Sequence, residues 1–197
     1  METIIKKGVY KILKVFYYSR NSAFHLRELA RKTGLNENSI SRFLNNLVEK
    51  GILVFEREGN LKKFSVNKKY LPIIFSIYDE EKLEKLPILR KNAIKNYFRK
   101  ILIKPIFAVV FGSTAKENYK KDSDIDILLV VNSKTNNRKS IESVKSQTGI
   151  KIQEFQIIEE DFLKELKNKK ENVIQSAIES GFPVFNNKYY WEVIYFG

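Results

Sequence analysis

One short stretch, residues 107–131, limits the possible folds of this chain more than any other. It contains two apolar runs that have the length of buried strands. The first run ends in Gly112 and Ser113, and after ten more residues the second run begins around two aspartates, Asp124 and Asp126. Residues i and i+2 of a strand point to the same face, so both carboxylates share one side. The stretch therefore predicts two buried strands, a tight turn and an acidic pair.

Two carboxylates on one strand face repel each other unless a cation lies between them. Mg²⁺ is commonly held by one or two carboxylates together with substrate phosphates. The turn at Gly112 and Ser113 offers backbone N–H groups and a hydroxyl to such a phosphate. Together these parts indicate metal-assisted nucleotidyl transfer. The alternative is a surface Asp-x-Asp whose carboxylates cap helices and add solubility, but it leaves the buried-strand pattern unexplained.

The segment 123–127 reads Ser-Asp-Ile-Asp-Ile and follows a Gly-Ser turn. This arrangement resembles the nucleotidyltransferase superfamily of DNA polymerase beta, especially its minimal prokaryotic branch, over about residues 106–160. The resemblance implies transfer of a nucleoside monophosphate from an NTP, with ATP as the expected nucleotide, to a hydroxyl of a protein or RNA. It also implies three carboxylates around two Mg²⁺ ions, one activating the hydroxyl and one holding the triphosphate.

By residue match, the resemblance makes Asp124 and Asp126 catalytic metal ligands. The third catalytic carboxylate and metal ligand is expected on the next strand, where Glu154 is the best match. Gln153 beside it is polar where the family is usually apolar, so a solvent-facing Glu154 stays open.

The nucleotide is expected to contact four residues in and after the turn: Gly112, Ser113, Lys116 and Ser123. Minimal family members often have Arg-Gly where this chain has Lys116 and Glu117. Lysine keeps a positive charge for phosphate but lacks the bidentate fork of arginine, so substrate choice or efficiency is expected to differ.

The basic charge of the chain is concentrated at its N-terminal end. The net charge is +13, and residues 1–70 hold 15 Lys and Arg against 6 Asp and Glu. Such a segment indicates a polyanionic partner, and nucleic acid is the expected one. A Lys-rich composition that serves only solubility is the alternative.

Residues 1–70 also have the element order of a winged helix-turn-helix domain. The helices and strands predicted from apolar spacing cover residues 2–18 (with Ile5), 25–33, 36–50, 52–57 and 61–66. Gly34 is expected to end the second helix and Asn36 to cap the third. The segment 39–53 resembles recognition-helix segments of prokaryotic winged-helix regulators.

DNA is the expected ligand of this domain, in preference to RNA. Arginine and asparagine suit contacts with guanine and adenine edges, and basic wing residues suit phosphates. The residues expected to bind nucleic acid are Asn38, Ser41, Arg42 and Asn45 on the third helix and Arg57, Lys62 and Lys63 in the wing. A domain that only packs, dimerises or binds a partner protein stays open.

The sequence thus predicts an α+β protein with two domains. A winged helix-turn-helix domain (1–70) precedes a helical connector (71–104) and a polymerase-beta-like nucleotidyltransferase α/β domain with a small mixed sheet (105–197). In the connector, 73–78 is compatible with helix or strand, 79–81 resembles a helix start, and Ile88, Leu89, Ala93, Ile94 and Tyr97 or Phe98 form an inward stripe.

Further elements are predicted in the C-terminal domain. They are strands at 106–111, 125–131 and 150–158, and helices at 139–146, 159–169 and 173–179. The aromatic tail, 182–196, is expected to cover the core or form an interface rather than to stack on bases.

Composition excludes several classes of site. The chain has no cysteine, which excludes disulfides and thiolate metal sites, and its single histidine, His25, is expected to pack or cap near a helix start. No signal peptide is visible and the apolar runs are far shorter than a membrane span, so a cytoplasmic protein with no membrane partner is expected.

Two main functions are consistent with these observations, and RNA modification, with the basic domain holding tRNA or another RNA, is a third and weaker one. The first is Mg²⁺-dependent nucleotidyl transfer combined with DNA binding. Free-standing members of the resembled family include antitoxins that AMP-modify a HEPN-type toxin, which here would be a separate partner chain. The second is a DNA-binding transcriptional regulator whose transferase domain senses nucleotide or is inactive. The sequence leaves an oligomer open.

Overall fold

The computed structural model describes residues 6–197 and divides the chain into two compact units after Tyr78. The division falls within helix α4 (Leu71–Lys85). The predicted helix residues 2–5, including Ile5, lie outside the described part. None of the helices in residues 6–197 has the length and apolar character that a membrane span requires.

The N-terminal unit is a helix-turn-helix followed by a two-stranded wing. Its elements are α1 (Lys7–Tyr18), β1 (Phe24–His25), α2 (Leu26–Thr33), α3 (Glu37–Glu49), β2 (Leu53–Glu58) and β3 (Leu61–Val66). The strands form an antiparallel sheet in the order β1-β3-β2. The predicted winged order is therefore confirmed, while β1 is too short to carry a periodic signal and is visible only in the structure.

The helix ends follow from local signals. Asn36 caps α3, because its Oδ1 accepts a hydrogen bond from the Ser39 N–H at 2.8 Å. Gly34 ends α2 in the left-handed region, with φ of +69°. His25 stands at the start of α2, as expected, and its backbone N–H donates to Glu28 Oε2 at 2.8 Å. The helices bury a shared apolar core: Ile12, Leu29, Ile40 and Leu44.

The C-terminal unit is built on a four-stranded mixed sheet. Its helices are α5 (Ile88–Lys100), α6 (Gly112–Ala115), α7 (Arg138–Thr148), α8 (Glu159–Asn168), α9 (Asn172–Ser180) and α10 (Asn187–Phe196). Its strands are β4 (Phe107–Phe111), β5 (Ile125–Val131), β6 (Ile152–Ile158) and β7 (Phe182–Phe185), in the order β6-β5-β4-β7. Only the β5–β6 pair is parallel, and α7 makes the crossover between them. The small mixed sheet is confirmed.

The sheet has two faces that differ in what covers them. Alternate residues such as Ala108, Ile127 and Ile152 pack with α5 and α7 in one apolar core. On the other face, the Phe107 ring contacts Phe162 of α8 and Tyr190 of α10. The aromatic tail forms β7 and α10, and it covers the core as expected.

The connector segment differs from expectation at two points. Residues 73–78, for which helix and strand were both open, are helical, and 79–81 lie in the interior of α4 instead of starting a helix. Ile88 and Leu89 are 63% and 54% exposed, so the inward stripe of α5 begins later than predicted. The buried positions of α5 are Arg90, Ala93, Ile94 and Tyr97, which puts a charged side chain on its inward face.

A buried hydrogen bond joins the two ends of the C-terminal unit. The indole N–H of the fully buried Trp191 donates to the fully buried Asp79 carboxylate at 2.6 Å. We expect Trp191→Phe to lower the free energy of unfolding by about 1–3 kcal/mol, because a buried carboxylate loses a donor. Urea denaturation would measure this. Tyr189→Phe is the control, since that hydroxyl bonds Glu159 at an exposed position; equal losses in both variants would contradict the prediction.

Candidate active site

The register of two strands brings the Gly-Ser turn to the acidic pair. In the antiparallel β4–β5 pair, Phe111 lies opposite Asp126, so Gly112 follows directly beside that aspartate. A Cβ atom added to Gly112 would lie 2.1 Å from Asp126 Oδ2. Gly112 also has a φ of +63°, which L side chains rarely adopt. Only glycine fits this position, and the turn backbone packs against the carboxylate.

The acidic pair is half-buried and electrostatically coupled. Burial raises the pKa of the Asp126 carboxyl, and the neighbouring Asp124 raises it further. Both effects disfavour a second negative charge at this point. A divalent cation would reverse that preference, since carboxylates are the ligands that hard cations prefer.

Asp124 has a basic neighbour that the sequence did not predict. Lys151 Nζ lies 2.9 Å from Asp124 Oδ2, and the Ile125 N–H donates to the Lys151 carbonyl at 2.9 Å. Lys151 precedes β6, so only the parallel register of β5 and β6 brings the two together. Both side chains are partly exposed, and such a pair contributes about 0–1 kcal/mol. A cation or a phosphate can therefore displace this contact at little cost.

Glu154 does not join the pair, which corrects the predicted third ligand. Glu154 lies opposite Ile127 of β5, on the face covered by α5 and α7. Its carboxylate accepts hydrogen bonds from the hydroxyl of Tyr97 and from Asn137 Nδ2, the latter at 2.9 Å. Strand residues alternate between faces, so Glu154 and Asp126 point to opposite sides of the sheet. The local sequence could not show which face of the sheet Glu154 occupies, because polar and apolar residues do not alternate regularly along β6.

The residue in register with Asp126 is Gln153, which is exposed and carries no charge. Within residues 6–197, no three acidic, histidine or cysteine side chains come together as a metal-binding group. Asp124 and Asp126 fit one divalent cation shared with substrate phosphates. The described residues offer no third carboxylate beside them.

The other residues predicted to contact nucleotide differ in exposure and in hydrogen bonding. Ser113 is half-buried in the turn, and Lys116 is exposed at the end of α6. Ser123 Oγ accepts from the Lys120 N–H at 2.9 Å, so this hydroxyl already closes the loop before Asp124.

One further side chain at the site was missed by the sequence analysis. Arg90 of α5 is buried and donates to Thr114 Oγ1 at 2.9 Å and to the Ser123 carbonyl at 2.7 Å. The available signal was its spacing, since Arg90 precedes the buried residues Ala93 and Ile94 by three and four positions.

In the N-terminal unit, several predicted nucleic-acid contacts line one cleft. Ser41 and Asn45 of α3 and Lys62 of β3 border a cleft of about 800 Å³ between the helix and the wing. Asn38 and Arg42 are exposed on α3.

The wing residues divide between the two faces of the hairpin. Arg57 lies opposite Lys62, and Lys62 Nζ lies over the Phe55 ring at 4.3 Å. Lys63 alternates to the other face, where its Nζ is 3.4 Å from Glu58 Oε2. The structure therefore groups Arg57 with Lys62 and separates Lys63 from them.

Comparisons with known proteins agree with both units. The family described as Polymerase beta, Nucleotidyltransferase matches residues 92–190, and the family described as IclR helix-turn-helix domain matches residues 11–57. Among curated proteins, none matches this chain significantly.

One solved structure is similar, the crystal structure of Pseudomonas aeruginosa HmgR, at 22% identity and a TM-score of 0.31. The alignment covers 53% of this chain and 40% of that chain. The chain thus spans less than half of the length of that protein.

The polymerase beta match covers half of the chain and contains the Gly112 turn, Asp124 and Asp126. The protein therefore belongs to the polymerase beta nucleotidyltransferase family, and it carries a helix-turn-helix domain at its N-terminal end.

Proposed function

We propose that the C-terminal unit binds a nucleoside triphosphate, with ATP as the expected one, together with a divalent cation. It then transfers the nucleoside monophosphate to a hydroxyl of a protein or RNA: the hydroxyl oxygen bonds the α-phosphorus, pyrophosphate leaves and the hydroxyl proton passes to solvent. The observation that carries this proposal is the contact of the Gly112 backbone with the Asp126 carboxylate inside a nucleotidyltransferase domain. A separate HEPN-type toxin is one proposed protein acceptor.

Each residue of the site has a role in this proposal. Asp124 and Asp126 would hold Mg²⁺, which when bound neutralises triphosphate charge and favours ionisation of the acceptor hydroxyl. Gly112 lets the phosphates approach the turn backbone without a clash. Lys151, now paired with Asp124, is free to turn to a phosphate oxygen once the cation takes its place.

We further propose that the N-terminal unit binds duplex DNA with α3 and the wing. The support is the helix-turn-helix family match, the basic excess of residues 1–70 and the exposed polar face of α3. Arg42 and Asn45 would read base edges, while Arg57 and Lys62 would contact phosphates.

A second candidate function is a DNA-binding regulator whose transferase domain senses nucleotide. The position of Glu154 on the opposite face favours it, because Gln153 stands beside Asp126 where a third carboxylate would be needed. A site with two carboxylates can hold one cation and a triphosphate but activates a hydroxyl poorly. The two candidates share nucleotide binding and differ in turnover.

The turn provides a matched test of the nucleotide site. We expect Gly112→Ala to reduce Mg-ATP affinity at least about tenfold, because the new Cβ collides with Asp126. Gly149→Ala is the control: it has a φ of +73° but open space around it, so it shares the backbone strain and leaves the site intact. Isothermal titration measures both, and equal affinities would refute the site.

The same preparations decide between the two candidates. Label transfer from α-labelled ATP to a protein or RNA acceptor, abolished in Asp124→Asn, would establish the enzyme. Tight Mg-ATP binding with no transfer would favour the sensor.

The acidic pair predicts a pH dependence. The raised pKa of Asp126 means that the folded state holds the carboxyl proton more tightly than the unfolded state does. The protonated carboxyl therefore adds to the free energy of unfolding at low pH, and this stabilisation is lost as pH rises through the raised pKa. We expect Asp126→Asn to be at least as stable as the native protein at neutral pH while losing Mn²⁺ binding.

Thermal melting between about pH 4 and 8, with Mn²⁺ binding followed by electron paramagnetic resonance, checks both parts. Asp122→Asn, an exposed acid in the preceding loop, is the control and should change neither. An Asp126→Asn variant that is less stable than the native protein and still binds Mn²⁺ would contradict both the unfavourable ionisation of Asp126 and its role as a metal ligand.

For DNA binding, we expect Arg42→Ala to cost about 1–3 kcal/mol on the preferred sequence and to relax its specificity. Lys62→Ala should instead weaken binding to all sequences and lower the salt slope by about one. Fluorescence anisotropy at several salt concentrations separates the two effects. Lys50→Ala, at the C-terminal end of α3, is the control; equal losses there would show that only overall charge matters.

A further inference from the structure

Arg90 is a buried cation that lies outside the matched family segment, which begins at residue 92. Its side chain is only 4% exposed, although it projects from a helix whose other inward residues are mainly apolar. Burial lowers the pKa of the guanidinium, while Tyr119 and Asp124 oppose that shift. An arginine remains charged under such conditions, so the protein carries a desolvation cost at this point.

The partners of Arg90 are neutral atoms in α6 and in the loop that follows it. Its Nη1 donates to Thr114 Oγ1 at 2.9 Å, and its Nη2 donates to the carbonyls of Lys120 and Ser123 at 3.1 and 2.7 Å. The guanidinium also lies over the Tyr119 ring at 4.0 Å. Among the described residues, no carboxylate is within ion-pairing distance of Arg90. The guanidinium is therefore bonded to a hydroxyl and two carbonyls and forms no ion pair with an acid of the described residues.

Two of these partners, Thr114 and Ser123, lie at the two ends of the segment that separates the Gly-Ser turn from the acidic pair. Thr114 follows the Gly112-Ser113 turn directly, and Ser123 directly precedes Asp124. Between them, residues 116–122 are largely exposed and contain no regular element. Their backbone hydrogen bonds, such as Asn118 N–H to the Ser113 carbonyl and Ser123 N–H to the Lys120 carbonyl, are local to each end and do not join the two ends. One guanidinium spans both ends and links them to α5.

We propose that Arg90 is a positioning residue: it holds the Gly-Ser turn and the acidic pair at the relative positions that a nucleotide and its cation require. The proposal rests on the nucleotide site proposed above. The planar guanidinium bonds three acceptors from two nitrogens and stacks on an aromatic ring at the same time, which an ammonium group cannot do. Its charge also lies near Asp124 without an ion pair to it, so among the described residues only the partly exposed contact with Lys151 competes with a cation for that carboxylate.

This role predicts that the charge of Arg90 and its planar set of N–H donors affect ligand binding separately. Arg90→Lys keeps the positive charge and most of the side-chain volume but loses the planar donors, and Arg90→Met keeps only the volume. We expect Mg-ATP and Mn²⁺ affinities about 10–100-fold weaker in Arg90→Lys, comparable with the loss of other groups that orient metal ligands. Arg90→Met should lose more. Arg99→Met is the control, because Arg99 is exposed on the same helix.

Hydrogen exchange tests the loop without any nucleotide. The Lys120 amide donates to Ser123 Oγ and the Ser123 amide donates to the Lys120 carbonyl, so both report on loop closure. In Arg90→Lys these amides should exchange about tenfold faster, while amides of β5 keep their protection. Faster exchange throughout β5 would indicate general destabilisation and would overturn the specific role.

The outcomes separate this inference from the proposed function. If Arg90→Lys keeps both native nucleotide affinity and native exchange, the positioning role is wrong. If the native protein binds neither Mg-ATP nor Mn²⁺, the proposed function fails, and the exchange experiment alone decides whether Arg90 holds the loop. If Arg90→Met does not fold, the Arg90→Lys measurements still decide the question.

Discussion

The antiparallel pairing of β4 with β5 is the constraint on which the candidate site depends. It sets Phe111 opposite Asp126, and the chain then turns at Gly112 against the carboxylate. Both strands are buried on both faces, so a shift in their register would expose apolar side chains and is strongly disfavoured. The hydrophobic core therefore holds the turn and the acidic pair together, and the half-burial it imposes raises the pKa of Asp126.

The alternation of side chains along β6 explains why no third carboxylate of the described residues lies beside Asp124 and Asp126. Glu154 and Gln153 are neighbours in sequence, yet the pleat sends them to opposite faces of the sheet. Glu154 becomes part of a polar cluster with Tyr97 and Asn137, while Gln153 lies beside Asp126. In the proposed function, this one-residue difference separates nucleotidyl transfer from nucleotide binding without transfer.

Two buried polar side chains further restrict the arrangement of the chain in the C-terminal unit. Arg90 fastens a loop that has no regular structure, and Trp191 donates to a carboxylate at the start of the unit. Each removes a polar group from water and satisfies it with a partner distant in sequence. Such contacts select one arrangement of the chain, because any alternative leaves a buried charge without its partners.

The sequence by itself determined the two-domain order, the strands and helices with clear periodicity, the caps at Asn36 and Gly34, and the pairing of a Gly-Ser turn with Asp124 and Asp126. These features are local, since they depend on spacing within one element or across one turn. Only the tertiary structure decided the face of Glu154, the contact of Lys151 with Asp124 and the burial of Arg90. Each of these depends on strand register or helix rotation, which are fixed by packing between segments far apart in the chain and leave no periodic signal in any one of them.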